Sequence, residues 1–188
     1  MAVNVSNIIV GEATVAIGAT IGAAADIGAT QDGVELSWEP DMVDIEVDQF
    51  GDAAKVIQSM VKVMLKTTLA EATLVNLARA WGYDDTVDGT NGADIKQEQD
   101  GANTNTFMFG IENVYPFERA LVTVGTAPGS DATATKTRTF STKRAISYAA
   151  SSHSMKRAEA TTFPVEFRIL PTVGDTNFEY GKIIDSTA

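Results

Sequence analysis

The chain has 188 residues and a formal net charge of −11, contains no cysteine, and has one histidine, His153. That inventory excludes disulfide frameworks, thiolate zinc sites, cysteine nucleophiles and any metal cluster built on two histidines. The acidic balance argues against a duplex-binding groove, because Lys and Arg supply affinity for phosphate backbones, and no apolar run reaches the ~18 residues of a membrane span. The length fits one domain over 1–188 with a real hydrophobic core. Met1 to Asn7 show neither the basic nor the continuous apolar region of a secretory signal, so a cytoplasmic site of synthesis is expected.

In chain order, Ile8 to Ile17 place β-branched residues at nearly every second position and predict a first strand. The small residues from Gly18 to Thr30 repeat Gly-Ala-Thr and read as a connection; their glycine spacing matches neither a phosphate-binding loop nor a dinucleotide fingerprint. After the Asp32-Gly33 turn signal, Val34, Leu36 and Trp38 alternate with polar residues and share a predicted core face, with Pro40-Asp41 ending that strand. Val43, Ile45 and Val47 then alternate with Asp44, Glu46 and Asp48, setting three carboxylates about 7 Å apart along an outer face. Such a row is either a cation site or polyanion-rejecting wall, or a solvated strand face.

Val56 to Thr68 read as a long strand, and at Thr68 the period changes to that of a helix. Leu69, Leu74, Leu77, Ala78 and Trp81 predict a helix over 69–81, with Thr68 and Glu71 as a capping box and Gly82 just past its end. Residues 84–104 are acidic and turn-rich; their spacing does not fit an EF-hand, which leaves a solvated loop. Strands resume at Thr106 to Ile111, Ala120 to Gly125, about Lys136 to Tyr148 and Thr161 to Leu170, where Pro164 demotes the start to an edge or bulge. The expected fold is mainly β, an antiparallel β-sandwich or partly open barrel with one packed helix.

Charge is polarised along the chain. Residues 1–54 carry ten carboxylates and no Lys or Arg, whereas residues 132–158 hold Lys136, Arg138, Lys143, Arg144, Lys156 and Arg157 and no acid. One chain with an acidic and a basic surface suits head-to-tail association with a second copy. No catalytic constellation emerges: His153 lies in a polar serine-rich segment where a surface histidine is the ordinary outcome, and 25 acids make any carboxylate pair uninformative. No enzyme activity, cofactor or metal is expected.

Gly33-Val-Glu-Leu-Ser-Trp-Glu-Pro-Asp-Met-Val-Asp-Ile-Glu-Val-Asp-Gln49, followed by Gly51-Asp52, resembles the tail tube (major tail) proteins of bacteriophages. Lys66-Thr-Thr-Leu-Ala-Glu-Ala-Thr-Leu-Val-Asn-Leu-Ala78 resembles the strand-to-helix segment of the same family, so the likeness covers about 33–81. The resemblance implies a virion protein that forms hexameric rings, with strands joined into an inner β-barrel and rings stacked into a tube through which viral DNA passes without specific binding. It further implies assembly in the host cytoplasm, location in the virion tail, and tape-measure, tail-terminator and distal-tail or baseplate proteins as partners. On that reading Asp44, Glu46 and Asp48 are candidates for the lumen. The loop or hairpin at 39–56 and the stretch 126–160, with Lys143, Arg144, Lys156 and Arg157, are candidates for contacts between subunits. Rival readings are the tube of a contractile injection or secretion system, and a soluble β-sandwich binding module. The module is disfavoured by placing Trp38 and Trp81 on core faces, since binding modules expose aromatics on loops.

Overall fold

The computed structural model describes residues 7, 9, 11–46, 48, 52–83, 87–88, 95–97, 105–107, 109, 116–130, 135–148, 151–153, 155, 157, 160–174 and 179–186. In chain order the strands are β1 (Thr14–Gly18), β2 (Ala25–Asp26), β3 (Thr30–Glu46) and β4 (Ala53–Leu69), followed by helix α1 (Leu74–Trp81). Then come β5 (Val87–Asp88), β6 (Ile95–Gln97), β7 (Asn105–Phe107), β8 (Arg119–Thr126), β9 (Thr137–Ser147), β10 (Phe163–Ile169) and β11 (Lys182–Asp185). Eight strands form one open antiparallel sheet in the order β2-β1-β8-β9-β10-β4-β3, with β11 on β9, while β5, β6 and β7 form a small second sheet. The expectation of a mainly β, antiparallel chain with a short packed helix is met by a sheet that does not close.

Alternation fixes the buried face. Phe163, Val165, Phe167 and Ile169 of β10 point inward with Val63, Leu65 and Leu69 of β4, and Val15, Ile17, Leu121 and Ala145 extend the same core across β1, β8 and β9. Leu77 and Ala80 of α1 close over it, with Leu74, Trp81, Phe107 and Tyr180 at its margin. Pro164 sits opposite Thr68 of β4, in the part of β10 that β9 does not reach, because pairing with β9 begins only at Phe167. One side of the backbone is therefore locally an edge, and the proline removes no ladder bond there.

Two predicted boundaries move. The helix does not begin at 69: Leu69 ends β4, fully buried and paired with both Phe163 and Thr30. Thr73 is the N-cap, its hydroxyl accepting from the Asn76 N–H at 3.1 Å, and Glu71 instead accepts from the Ala29 N–H at 3.1 Å. Gly82 caps the other end as predicted, in the left-handed region at φ 79°, while the Tyr83 N–H reaches the Ala78 carbonyl. Nor does Pro40 end a strand, since β3 runs through it to Glu46. β3 is the outermost strand on that side and pairs only with β4, so a proline costs it little.

Asn76 joins these parts. Buried at 3% exposure, its amide donates to the Ile27 carbonyl at 2.9 Å and to the Glu71 carbonyl at 3.0 Å, tying α1 to the segment that enters β3. Asn76→Ala leaves two carbonyls without their donor and should cost about 1–3 kcal/mol. Urea unfolding should show a lower midpoint with an unchanged slope.

Candidate functional site

β3 and β4 pair along their whole length, from Thr30↔Leu69 to Glu46↔Ala53. β10 supports only the first half of that ladder, its last partner on β4 being Val63, opposite Trp38. From Glu39 onward the two strands run as an unsupported hairpin that reaches about 25 Å past the sheet at roughly 3.3 Å per residue. Nearly every residue of it is exposed, on both faces.

Register shows what each face carries. A bulge between Asp41 and Met42 resets the pairing, after which Val43 faces Ile57 and Ile45 faces Lys55 on one side. On the other side Met42 faces Gln58 and Asp44 faces Val56. Met42, Val56 and Met60 are 52%, 55% and 67% exposed. The hairpin therefore offers aliphatic surface on both sides, with Asp44, Glu46 and, at the turn, Asp48 and Asp52 near its tip.

The expected acidic row is placed differently. Asp44 and Glu46 are exposed on β3, but a second register shift separates them, and Asp48 lies in the turn rather than the strand. Val43 and Ile45, on the face opposite the row, are themselves exposed, no described residue beyond the hairpin burying this half of it. Trp38 is corrected likewise: it is 59% exposed at the lip where β10 ends, not a core residue, and only Trp81 packs against the core. Val47 lies outside the described residues.

The root of the hairpin is polar. Lys62 Nζ is 3.8 Å from Glu39 Oε2, and the Ser59 hydroxyl donates to Asp41 at 3.2 Å. The cations of Lys62 and Arg168 lie 5.3 and 5.4 Å from the centre of the Tyr148 ring. Glu39, Asp41, Lys62, Tyr148 and Arg168 line a surface depression of 410 Å³ together with the apolar Pro40, Met60 and Val61. A neighbouring depression of 310 Å³ holds Asp32, Glu35 and the Lys66–Glu166 ion pair at 2.8 Å, whose hydrogen bond raises the pKa of Lys66.

The basic segment does not gather into one free patch. Arg144 is engaged within its own chain, its Nε and Nη2 donating to Glu118 at 2.7 Å each and its Nη1 to the Pro171 carbonyl at 2.8 Å. Within its own chain it clamps the start of β8 to the end of β10. Arg138 is likewise bidentate with Asp185. Lys143 and Arg157 are exposed, and Lys156 lies outside the described residues. His153 is exposed, its ring 5.3 Å from the buried Phe163 ring. Among the described residues no group of three or more His, Cys, Asp or Glu is placed to hold a metal ion, and no helix is long and apolar enough to cross a membrane.

The Arg144 hydrogen bond holds the Glu118 carboxyl below its ordinary pKa. A depressed folded pKa contributes stability above the unfolded value and loses it as pH falls through the folded one. Melting temperatures of the wild type and Glu118→Gln should therefore differ at neutral pH and converge on acidification below about pH 4.

No protein-family model matches the chain, and no curated protein matches it at a significant level.

Proposed function

We propose that the chain is a structural subunit that assembles with copies of itself, and that it is the tail tube protein of a tailed bacteriophage rather than an enzyme. The observation that carries self-assembly is the hairpin at 39–60, whose two faces both present aliphatic side chains to water. A soluble monomer keeps such surface scattered; a projecting element with apolar residues on both sides is built to be covered. The outer edge of β3, which pairs with no strand among the described residues, supports ring closure by a neighbour's strand.

The phage reading rests on the two resembling blocks, which fall on β3 and on the end of β4 with α1. In that setting hexameric rings stack into the tube, and carboxylates such as Asp44, Glu46 and Asp48 facing the lumen keep DNA from adhering by like-charge repulsion. Tape-measure, terminator and distal-tail proteins then bound the tube, in the virion tail. A co-purifying sheath would favour the contractile alternative. The exposure of Trp38 favours a binding module instead, since it leaves a large aromatic ring in solvent.

Size-exclusion light scattering with negative-stain microscopy separates these readings: rings or hollow tubes are expected, and a monomer at all concentrations and salts would favour the module. Val43→Glu with Ile57→Lys replaces an exposed apolar pair with an opposed ion pair, keeping the hairpin while removing the apolar pair from one of its two faces. The double variant should stay within about 0.5 kcal/mol of the wild type in stability and should assemble poorly; unchanged tubes would reject that face of the hairpin as the contact.

Lys143→Glu tests the basic segment without disturbing the Arg144 clamp. Tube formation should weaken and become salt-sensitive, and indifference to salt would count against that contact.

A further inference from the structure

β11 buries none of its four residues. Ile183 and Ile184, on opposite faces of the strand, are 58% and 48% exposed. The strand is held by its ladder on β9, from Lys182↔Ser141 to Asp185↔Arg138, and by the bidentate Arg138–Asp185 pair at 2.6 and 2.7 Å. Beyond it, the Ser186 N–H donates to the Thr137 carbonyl at 2.8 Å, and the Ser186 hydroxyl accepts from the Thr137 N–H at 2.9 Å. Backbone bonds and an exposed ion pair with little side-chain burial place β11 among the first elements to open.

The slot it fills is specific. β9 offers one edge to two strands in succession, β11 at Arg138 to Ser141 and β10 at Ala145 to Ser147. Where the chain comes onto β9 it crosses at Gly181, and a Cβ there would stand 2.8 Å from the Ser141 carbonyl oxygen and 2.9 Å from the Phe140 ring. If β11 left, the β9 edge would lie open, a template for any complementary strand. The strand best matched to it is β11 of an identical chain.

We infer that β11 is an exchange strand, which in the assembled protein leaves its own β9 and pairs with β9 of a second copy. This rests on the self-assembly reading above. Residues 170–181 join β10 to β11, and twelve residues span up to about 40 Å when extended, which releases the 2.6 Å hydrogen bond from the Thr172 N–H to the Glu179 carbonyl and lifts Tyr180 from the margin of the core. Within them Val173 is almost fully exposed and Gly174 has φ 85° with open space around its Cα, which makes that turn the pivot. Each pairing that β11 makes within its own chain is available on a neighbour, so exchange forfeits none of them. Held side by side in a ring, neighbours present the slot at high effective concentration.

The absence of cysteine makes the test direct. Thr139 and Ile184 are directly opposed between β9 and β11, and opposed antiparallel residues lie within disulfide range. Thr139→Cys and Ile184→Cys chains, purified separately, are mixed, concentrated and oxidised, and the products are read on a non-reducing gel. Exchange predicts a Thr139→Cys/Ile184→Cys heterodimer in several-fold excess over either homodimer; no such excess overturns it. A chain bearing both substitutions gives the second reading: intermolecular ladders support exchange, whereas intramolecular closure alone, seen by mass on an unlinked chain, rejects it. Microscopy of the same samples scores assembly separately. Tubes containing only intramolecular disulfides would remove the exchange and leave the assembly reading standing; selective heterodimers without rings or tubes would support the exchange and count against the tube.

Discussion

β10 contributes seven residues to the sheet and β4 contributes seventeen, and this mismatch divides the molecule. Where β10 pairs with Val63 to Leu69, β4 is a central strand whose inward side chains meet α1 and the rest of the core. Where β10 stops, the same strand continues with β3 alone, and among the described residues no third strand or helix pairs with or covers it. An isolated two-stranded hairpin is marginal in water. This one is not isolated, because its register and twist are inherited from the buried half of the ladder. The core thus acts as a clamp on a projecting arm, and Asn76, through the Ile27 carbonyl, anchors the point where the arm's first strand begins.

The period-two pattern made the strands legible while leaving their surroundings open. Alternation at Val34 to Trp38, Val43 to Glu46 and Val61 to Leu65 gave strands in the right places, because backbone geometry alone sets that period. Alternation does not say whether a face is covered. Trp38, Val43 and Ile45 carry the signature of a buried face, yet they are exposed because β10 is too short to bring the core to them. The helix start misleads for a related reason: Thr68 and Glu71 have the spacing of a capping box, but the core takes Leu69 as the end of a strand and Glu71 serves the Ala29 N–H. β11 has no periodicity to read, being four residues with two adjacent isoleucines, and only the open edge of β9 explains it. For the candidate site, the hairpin and its acids were visible in the sequence, whereas the engagement of Arg144 by Glu118, 26 residues away, was not.

The ion pairs within the chain bear on how its charge works. The acidic first half and the basic segment invite a head-to-tail attraction between copies, but two of the arginines counted in that attraction, Arg138 and Arg144, are already matched to Asp185 and Glu118. Both pairs fasten late elements to the sheet, one holding β11 and the other the turn after β10. What is left for a neighbour is a weaker basic field than composition implies, set against an arm whose tip is rich in carboxylates. On the self-assembly reading, electrostatics would orient and select copies while the aliphatic faces supply the attraction.

On the self-assembly reading, the size of that attraction decides the style of assembly. Eight large apolar side chains stand exposed on β3 and β4, namely Leu36, Trp38, Met42, Val43, Ile45, Val56, Ile57 and Met60. Completing their burial from a half-exposed start is worth about 1 kcal/mol each. A sum near 8 kcal/mol falls within the 4–15 kcal/mol that association costs in lost rigid-body freedom and ordering. A single arm contact is therefore near balance, and pairs of chains need not persist. Closing a ring repeats the contact without repeating the full loss of freedom, since each added arm finds its site already near at hand. The acids at the tip of the arm bias the same balance, repelling chains that meet tip to tip and being screened at physiological salt once they lie more than about 8 Å apart. On that reading the subunit assembles cooperatively through the surface that the single chain leaves exposed.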